Sequence, residues 1–394
     1  MNNPVYYQLQ IVNENASFGD GLILNIESDN AGIDTVKTFT HKAFSDSLIA
    51  HGFDDLSKIA QLKWRVVATS GNFNLPSNYS NILYIVREVK MYLVGSFQTP
   101  TQWDPPTAIR MIPDTRAGLL NNMFYAYIFM PAGAQFKFLQ GQAWGLPDYG
   151  DAGGGSLSNG GNNFNIAVAG FYRISMNKAT LKYDIRAGRM GFVGAAVNNV
   201  GWNPGAVFPT AAMGAQGTNK FLGVHDFTAG EWKMIDSDAW DNGSQLPDET
   251  RSYSSAGPSG SKLNVNSGNM PNINSAGRYR IIWNGTDVKN VQYELMPADE
   301  MRIVGDGIQG VPNWDPGASP QLAYQGNGQW KIICTLIAGK QYKFLAGNAW
   351  GAFDYESAGG GKIKYDGGDN FSTPGVTGLY TVTLDEVNGT ITVM

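Results

Sequence analysis

The sequence predicts an all-β protein made of several domains. Charged residues make up only 15% of the chain, whereas glycine (49 residues) and aromatic residues (12%) are plentiful, a composition that favours short strands and tight turns over long, salt-bridged helices. Short runs of alternating apolar and polar residues are separated by clusters of Asn, Gly, Pro and Asp, which is typical of antiparallel strands. Because 394 residues are too many for one ordinary hydrophobic core, we expect about two to four domains.

An internal repeat defines the domain organisation. The string QFKFLQGQAWG at 135–145 recurs as QYKFLAGNAWG at 341–351, and both copies continue into Asp-Tyr and then Ala-Gly-Gly-Gly. The first repeat unit covers about 91–186 and the last covers 301–394. A match of this length indicates two copies of one domain.

A third, more diverged copy lies between these two. It opens with MGFVG at 190–194 and carries GRYRI at 277–281, which parallels GFYRI at 170–174. Every copy has a lysine seven residues before a tryptophan, and an earlier tryptophan shortly after the opening Val-Gly. These residues are Trp103, Lys137 and Trp144, then Trp202, Lys233 and Trp240, then Trp314, Lys343 and Trp350. We therefore predict three tandem β-sandwich modules, at 90–187, 188–298 and 299–394.

The first 89 residues differ from the repeat and form a separate predicted domain. Strands are predicted at 6–11, 37–40, 62–68 and 82–86. This pattern resembles an immunoglobulin-like or fibronectin type III-like domain. For the whole chain we expect an all-β fold in which this N-terminal domain, 1–89, acts as a spacer in front of the three tandem modules.

Charge and composition exclude several classes of function. The net charge is −5 with a pI near 5.3, and no stretch rich in Lys or Arg occurs, so the sequence lacks the electrostatic signature of a nucleic-acid-binding protein. No apolar run of about 18 residues exists to span a membrane. The chain starts without the features of a secretory signal, so either the protein is cytoplasmic or a targeting segment lies outside this sequence.

Metal, cofactor and disulfide chemistry have little support. The three histidines, His41, His51 and His225, are scattered and show no metal-ligand spacing, so we expect neither a zinc site nor a Ser-His-Asp triad. The single cysteine, Cys334, has no intrachain partner and lies in an apolar run, where it acts as a small core residue. No cofactor is expected.

The order of domains and the repeated Val-Gly…Trp…Lys-Phe-Leu…Ala-Trp-Gly pattern resemble the SusE/SusF family of outer-membrane starch-binding lipoproteins. The resemblance covers essentially the whole chain, and three modules behind one N-terminal domain look more like the SusF arrangement than the two-module SusE arrangement. It implies non-catalytic binding of a polysaccharide, above all an α-glucan, at the cell outer membrane. It also implies an upstream signal peptide and lipid anchor, and association with a glycan transporter complex.

The repeats supply the residue types that a sugar site needs, namely flat aromatic surfaces and a few hydrogen-bonding groups. We expect the tryptophans to form platforms, the lysine and amide side chains to reach hydroxyl groups, and a tyrosine to close one edge. In the first module these residues are Trp103, Lys137, Gln142, Trp144 and Tyr149, and in the last they are Trp314, Lys343, Asn348, Trp350 and Tyr355. The middle module keeps Trp202, Lys233 and Trp240, but Asp241 replaces a glycine and Asp238 replaces the amide.

The same residues are open to other interpretations. The Ala-Trp-Gly tryptophan could be a core residue, with the lysine merely pointing to solvent. Asp148 with Asp151, or Asp354 with Glu356, could serve as a hydrolytic pair, but repetition of one acidic loop in separate small modules is not how a single active site is built. The loop at 366–369 could bind calcium, although a plain turn is favoured over it. A different polysaccharide, such as β-glucan, xylan or levan, and a purely structural or adhesin-type spacer are the alternative functions.

Overall fold

The fold is known from a computed structural model that describes residues 3–54, 60–85, 87–208, 210–240, 250–365 and 367–394. Asp241, Asp366, the predicted strand end at Val86 and the side chain of His41 therefore lie outside the described residues. Within these ranges the chain is nearly all β, and the predicted fold class is confirmed. The chain forms two compact units, one of residues 1–90 with 120–122 and one of residues 91–119 with 123–394.

The N-terminal unit contains a five-stranded antiparallel sheet and one helix. Its elements are β1 (Tyr6–Asn13), β2 (Leu22–Glu27), α1 (His41–Ala50), β3 (Ala60–Ser70), β4 (Phe73–Pro76) and β5 (Asn81–Ile85), with strand order β2-β1-β3-β4 and β5 also paired to β3. Phe44 and Leu48 of the helix pack on the sheet residues Ile11 and Leu62. The predicted strand at 37–40 is wrong, because Thr40 caps the helix and its hydroxyl accepts from the Ala43 amide at 3.2 Å.

The first module is a ten-stranded curled sheet. It contains β6 (Tyr92–Gly95), β7 (Ile109–Arg110), β8 (Ile112–Pro113), β9 (Met123–Met130), β10 (Gln135–Leu139), β11 (Asp148–Gly153), β12 (Ser156–Asn159), β13 (Phe164–Asn165), β14 (Gly170–Asn177) and β15 (Lys182–Ala187). The strand order is β7-β6-β10-β11-β12-β15-β14-β9-β8, with β13 paired to β10. The rings of Phe136, Phe138 and Phe164 contact one another inside the curl.

The other two modules repeat this plan. The middle module contains β16 (Met190–Val193), β17 (Ala212–Gly217), β18 (Lys220–Phe227), β19 (Lys233–Ile235), β20 (Ser252–Ser254), β21 (Asn264–Val265), β22 (Gly277–Asn284) and β23 (Gln292–Pro297). The last contains β24 (Arg302–Gly305), β25 (Ala323–Gly326), β26 (Gln329–Leu336), β27 (Gln341–Leu345), β28 (Asp354–Gly359), β29 (Lys362–Tyr365), β30 (Phe371–Ser372), β31 (Gly378–Asp385) and β32 (Thr390–Val393). The orders are β21-β20-β19-β16-β17-β18-β22-β23 and β24-β27-β28-β29-β32-β31-β26-β25.

The glycine of each Val-Gly pair marks a point where two strands come very close. A Cβ on Gly95, Gly194 or Gly305 would lie 2.2, 2.4 or 2.2 Å from a backbone oxygen of the neighbouring strand or of the residues leading into it. No side chain fits at such a distance, so glycine is required there. The close approach places the loop after the first strand beside the strand that carries the lysine.

Buried arginines join consecutive modules. Arg173 of the first module donates to Asp236 of the second at 2.7 Å, and both side chains are buried. Arg280, at the matching position of the second module, donates to Glu386 of the third. The last module has Thr381 at that position. The modules therefore pack as one unit, and the boundaries 1–89, 90–187, 188–298 and 299–394 stay predictions for independently folding domains.

Candidate functional site

The predicted tryptophans lie on two loops of each module. One loop follows β6, β16 or β24, and the other follows β10, β19 or β27. The second-loop residues Trp144, Trp240 and Trp350 expose 51%, 42% and 53% of their surface. The interpretation of the Ala-Trp-Gly tryptophan as a core residue is therefore wrong, because a core indole would be almost completely covered.

The first-loop tryptophans are held in an unusual backbone conformation. Trp103 and Trp314 have φ angles of 55° and 54°, in the left-handed region that bulky residues rarely adopt. Such a conformation costs about 1–3 kcal/mol and persists only where the surroundings impose it. In the middle module Gly201, one position before Trp202, takes the left-handed conformation with φ 55°. All three loops thus have a left-handed residue, at the tryptophan in the outer two modules and one position before it in the middle module.

The two loops of each module meet at equivalent positions. In the first module the Gln142 amide donates to the Pro106 carbonyl at 2.6 Å. In the last module a Cβ on Gly317 would lie 3.8 Å from the backbone oxygen of Asn348, and in the middle one a Cβ on Gly205 would lie 3.9 Å from that of Asp238. The predicted Gln142 amide therefore braces the two loops. Gln142 and Asn348 are both exposed.

Tyr149 and Tyr355 do not close an edge of the site, so this part of the predicted site is wrong. Tyr149 pairs with Phe138 and Tyr355 pairs with Phe344 across the sheet. Side chains directly opposite each other point to the same face, so both tyrosines follow these phenylalanines into the core, where they are 8% and 0% exposed.

The lysines lie on the opposite, outer face of the same strands. In the first module Lys137 donates to Asp148 at 2.7 Å. In the last module Lys343 bonds Asp354 and also Glu356, the latter at 2.8 Å, and its ammonium lies 5.7 Å from the Trp350 ring centroid. Burial would lower the pKa of Lys343, but its two carboxylate partners outweigh burial and raise it.

These carboxylates were not among the site residues predicted from the sequence. The signal was present, because an acidic residue follows the lysine by eleven positions in both copies, at Asp148 and Asp354. Their ion pairs also weaken the hydrolytic interpretation, since both carboxylates of the last module, Asp354 and Glu356, contact one lysine instead of flanking an open space for a glycosidic bond. Asp151 is likewise engaged, accepting from the Tyr183 hydroxyl at 2.9 Å.

The middle module brings its two predicted tryptophans into direct contact. The ring centroids of Trp202 and Trp240 are 6.3 Å apart and their planes are inclined by 33°, while the two indoles remain 39% and 42% exposed. Between Trp103 and Trp144, or Trp314 and Trp350, no ring contact occurs in the described residues. The module that appears most diverged in sequence thus has the most compact aromatic surface.

Lys233 differs from the other two lysines. It is half-buried, and burial lowers its pKa. Two positions after Lys233, Ile235 pairs with Ser252 of the neighbouring strand. At the equivalent pairing position the first and last modules have Asp148 and Asp354. Within the described ranges Lys233 has no carboxylate partner.

The N-terminal unit contains a separate apolar groove of about 720 Å³, lined in part by Leu9, Phe39, Phe44 and Trp64. These residues belong to the core between sheet and helix. None of the predicted site residues lies in it. The groove is therefore a feature of the N-terminal unit and not part of the tryptophan sites.

The part of the chain that the structure describes contains neither a metal-site cluster nor a membrane-spanning helix. No group of three or more His, Cys, Asp or Glu side chains there could hold a metal ion. The helices in those ranges are all too short or too polar to cross a bilayer.

Comparisons with known proteins add a distant likeness of fold. No protein-family model matches the chain, and no curated protein matches it. Among solved structures, the chain is similar to SusF from Bacteroides thetaiotaomicron, with 17% sequence identity and coverage of 100% of this chain and 92% of that chain. The TM-score of 0.28 is too low to transfer a ligand or a site residue from that protein to this chain.

Proposed function

We propose that this protein is a non-catalytic glycan-binding protein in which each of the three modules presents a tryptophan site to one polysaccharide. The observation that carries the proposal is the exposed pair Trp202 and Trp240, in ring contact at 6.3 Å on two separate loops. A contiguous exposed apolar surface often marks an interaction site, whereas single exposed side chains need no partner. The apolar faces of sugar rings are suitable partners for indole surfaces.

Polar groups beside the indoles support the same conclusion. A sugar site needs a few fixed donors and acceptors for hydroxyl groups in addition to an apolar surface. Lys137 and Lys343 are held in place by carboxylates on the outer face of the sheet. Their ammonium groups carry three donors each, so donors remain for a ligand after the ion pairs form.

Weak individual sites are sufficient for this function. One or two stacked rings and a few exposed hydrogen bonds, at about 0.5–1.5 kcal/mol each, correspond to dissociation constants of roughly 0.1 to several millimolar. Three sites on one polymer can add about 10²–10⁴ in avidity. Because the modules pack as one unit, little orientational freedom is lost when the second and third sites engage.

The ligand that we propose is an α-glucan such as starch. The planes of Trp202 and Trp240 are inclined by 33° and are not coplanar, and a non-coplanar pair of rings is what a curving chain such as an α-1,4-linked glucan would need. The resemblance of the repeated motifs to starch-binding lipoproteins points the same way. By that resemblance we also propose an outer-membrane surface location, with a lipid anchor upstream of this sequence, and association with a glycan transporter complex.

Affinity electrophoresis tests the proposal. The purified chain is run in gels containing amylopectin, β-glucan, xylan or no polysaccharide, beside the variants Trp202→Ala/Trp240→Ala and Trp144→Ala/Trp350→Ala. We expect retardation by amylopectin that each double variant reduces. Phe73→Ala is the matched control, since Phe73 is 83% exposed but lies in the N-terminal unit, and it should migrate as the parent does. Equal mobility of the parent chain in all gels would favour a structural spacer.

A further inference from the structure

The apolar groove of the N-terminal unit has the size of a ligand site. Its floor includes Leu9 and Ile11 of β1 and the residues that pair with them on β3, Val66 and Trp64. Leu9, Trp64 and Val66 are only half-buried, so the helix α1 does not close the groove over them. The volume of about 720 Å³ lies within the range of roughly 300–1,000 Å³ that small-molecule sites occupy.

A fixed loop forms one wall of the groove. Most residues of 35–40, between β2 and α1, line it. Asp29 holds this loop, since its amide donates to the Val36 carbonyl at 2.8 Å and its carboxylate accepts from the Thr38 amide at 2.9 Å. Thr40 ties the other end of the loop to the start of α1. These bonds keep the loop from collapsing onto the sheet, so the groove is formed before any ligand arrives.

One buried polar group of the groove has no partner. Ser28 lines the groove and is 7% exposed. Its amide donates to the Tyr7 carbonyl at 2.9 Å, and its carbonyl accepts from the Gly32 amide at 3.0 Å. Its hydroxyl, in contrast, is buried without a hydrogen-bond partner among the described residues. An unpaired buried hydroxyl is unfavourable, so a ligand with a polar group at Ser28 would supply a bond that the protein alone does not make.

The charges at the groove disfavour an ionised ligand. Among the described residues that line it, Lys37 is the charged one, and its ammonium lies 3.3 Å from the Asp29 carboxylate. An ionised head group would lose its water without finding an unpaired counter-charge. An uncharged head group, such as a hydroxyl or an ester, avoids that penalty.

From these features we propose that the groove binds a single-chain lipid with an uncharged head group. The aliphatic chain lies along the row Tyr7, Leu9 and Ile11, four residue steps of about 3.3 Å each. The head group lies at the Tyr7 end, where it bonds the Ser28 hydroxyl. Apolar cavities that exclude water take up apolar ligands in this way. The site contains none of the predicted glycan-binding residues, and it does not depend on the proposed function.

Displacement of a fluorescent probe from the full chain measures the binding. The probe is N-phenyl-1-naphthylamine, which is uncharged and brightens in apolar surroundings. The competitors are hexanol, octanol and decanol, with ionised decanoate at pH 8 as the charged counterpart of decanol. We expect affinity to rise about fourfold for each added methylene, the effect of burying one CH₂ group. Decanol should bind about tenfold or more tightly than decanoate.

A substitution of Ser28 tests the head-group contact. Ser28→Ala should lower the affinity for decanol about threefold to tenfold. The free variant should be no less stable to urea than the parent, because it loses a hydroxyl that had no partner; a serine needed only for folding would show the opposite. Ser77→Ala is the matched control, since the Ser77 hydroxyl is exposed and donates to the Tyr79 carbonyl at 2.7 Å, and it should bind decanol as the parent does.

A second pair of variants tests the location of the chain. Val66→Trp fills the floor of the groove and should abolish probe displacement, with circular dichroism to show that the chain is folded. Val168→Trp adds the same ring at a position that is 68% exposed in the first module and should change nothing. Trp202→Ala/Trp240→Ala should also bind decanol normally, which separates the groove from the exposed indoles.

Several results would overturn the proposal. They are a probe that decanol does not displace, equal affinity for the three alcohols, decanoate binding as tightly as decanol, and an affinity for decanol that Ser28→Ala leaves unchanged. The first of these would leave the groove to another occupant, such as an apolar side chain of a partner protein. Retardation by amylopectin is measured separately, so either proposal can fail while the other stands.

Discussion

Neutralising Asp236 should destabilise the junction between the first two modules. Its carboxylate is completely buried and accepts three hydrogen bonds, from the Tyr127 hydroxyl at 2.6 Å, from Arg173 at 2.7 Å and from the Arg251 amide at 2.7 Å. In Asp236→Asn the buried guanidinium of Arg173 loses its closest anion. Breaking a buried ion pair from one side costs about 3–5 kcal/mol. We expect the lower end of that range, because Arg173 keeps a second carboxylate, Asp184, at 3.4 Å.

The assay is urea unfolding followed by far-ultraviolet circular dichroism at pH 7, with Asp226→Asn as the matched control. Asp226 pairs with Arg278 at 3.0 Å in the same compact unit, but its side chain is 57% exposed, so its loss should cost less than about 1 kcal/mol. Arg173→Met combined with Asp236→Asn should recover part of the loss, because no buried charge is then left without its partner. An Asp236→Asn chain no less stable than Asp226→Asn would refute the reasoning.

Three further predictions concern other parts of the chain. Gly305→Ala should cost about 1–3 kcal/mol of unfolding free energy, because the new Cβ would meet a backbone oxygen at 2.2 Å, whereas Gly375→Ala, which has open space around it, should change unfolding little. Burial would raise the pKa of Asp114, but two neighbouring arginines hold it below its ordinary value. The ionised Asp114 carboxylate should therefore stabilise the fold fully above about pH 4, and this contribution should disappear as the pH falls through the lowered pKa. In urea unfolding between pH 3 and 7, Asp114→Asn should lose less stability on acidification than the parent chain does. Burial raises the pKa of the Cys334 thiol, so thiol reagents at pH 8 should modify it more slowly in the native than in the unfolded chain.

Several features of the fold could be predicted from the sequence because they depend on local rules. The alternating runs and turn residues predict strands, and the glycine of each Val-Gly pair is required by close contact with an adjacent strand, so it recurs at Gly95, Gly194 and Gly305. The exposed positions of Trp144 and Trp350 were also anticipated, since both lie beside glycines where a loop is expected. The helix at His41–Ala50 was missed.

The roles of individual site residues required the tertiary structure. Tyr149 follows Asp148 directly, yet the tyrosine lies in the core and the aspartate contacts the outer lysine. Neighbouring residues of a strand point to opposite faces of the sheet, so the strand register decides which of the two is buried. The contact between Trp202 and Trp240 joins two loops that are 38 positions apart in the sequence (240 − 202). The angle between the two rings cannot be predicted from the sequence.

By itself, the sequence determined the repeat, the β class and the loops that carry the tryptophans, because these follow from residue type and spacing along the chain. Only the tertiary structure decided which side chains face outwards, which lysine has a carboxylate partner and which module has a continuous aromatic surface. These properties depend on strand register and on contacts between distant loops. Lys137 and Lys233 occupy the same place in the repeat, and the partner across the strand, Asp148 or Ser252, makes them chemically different.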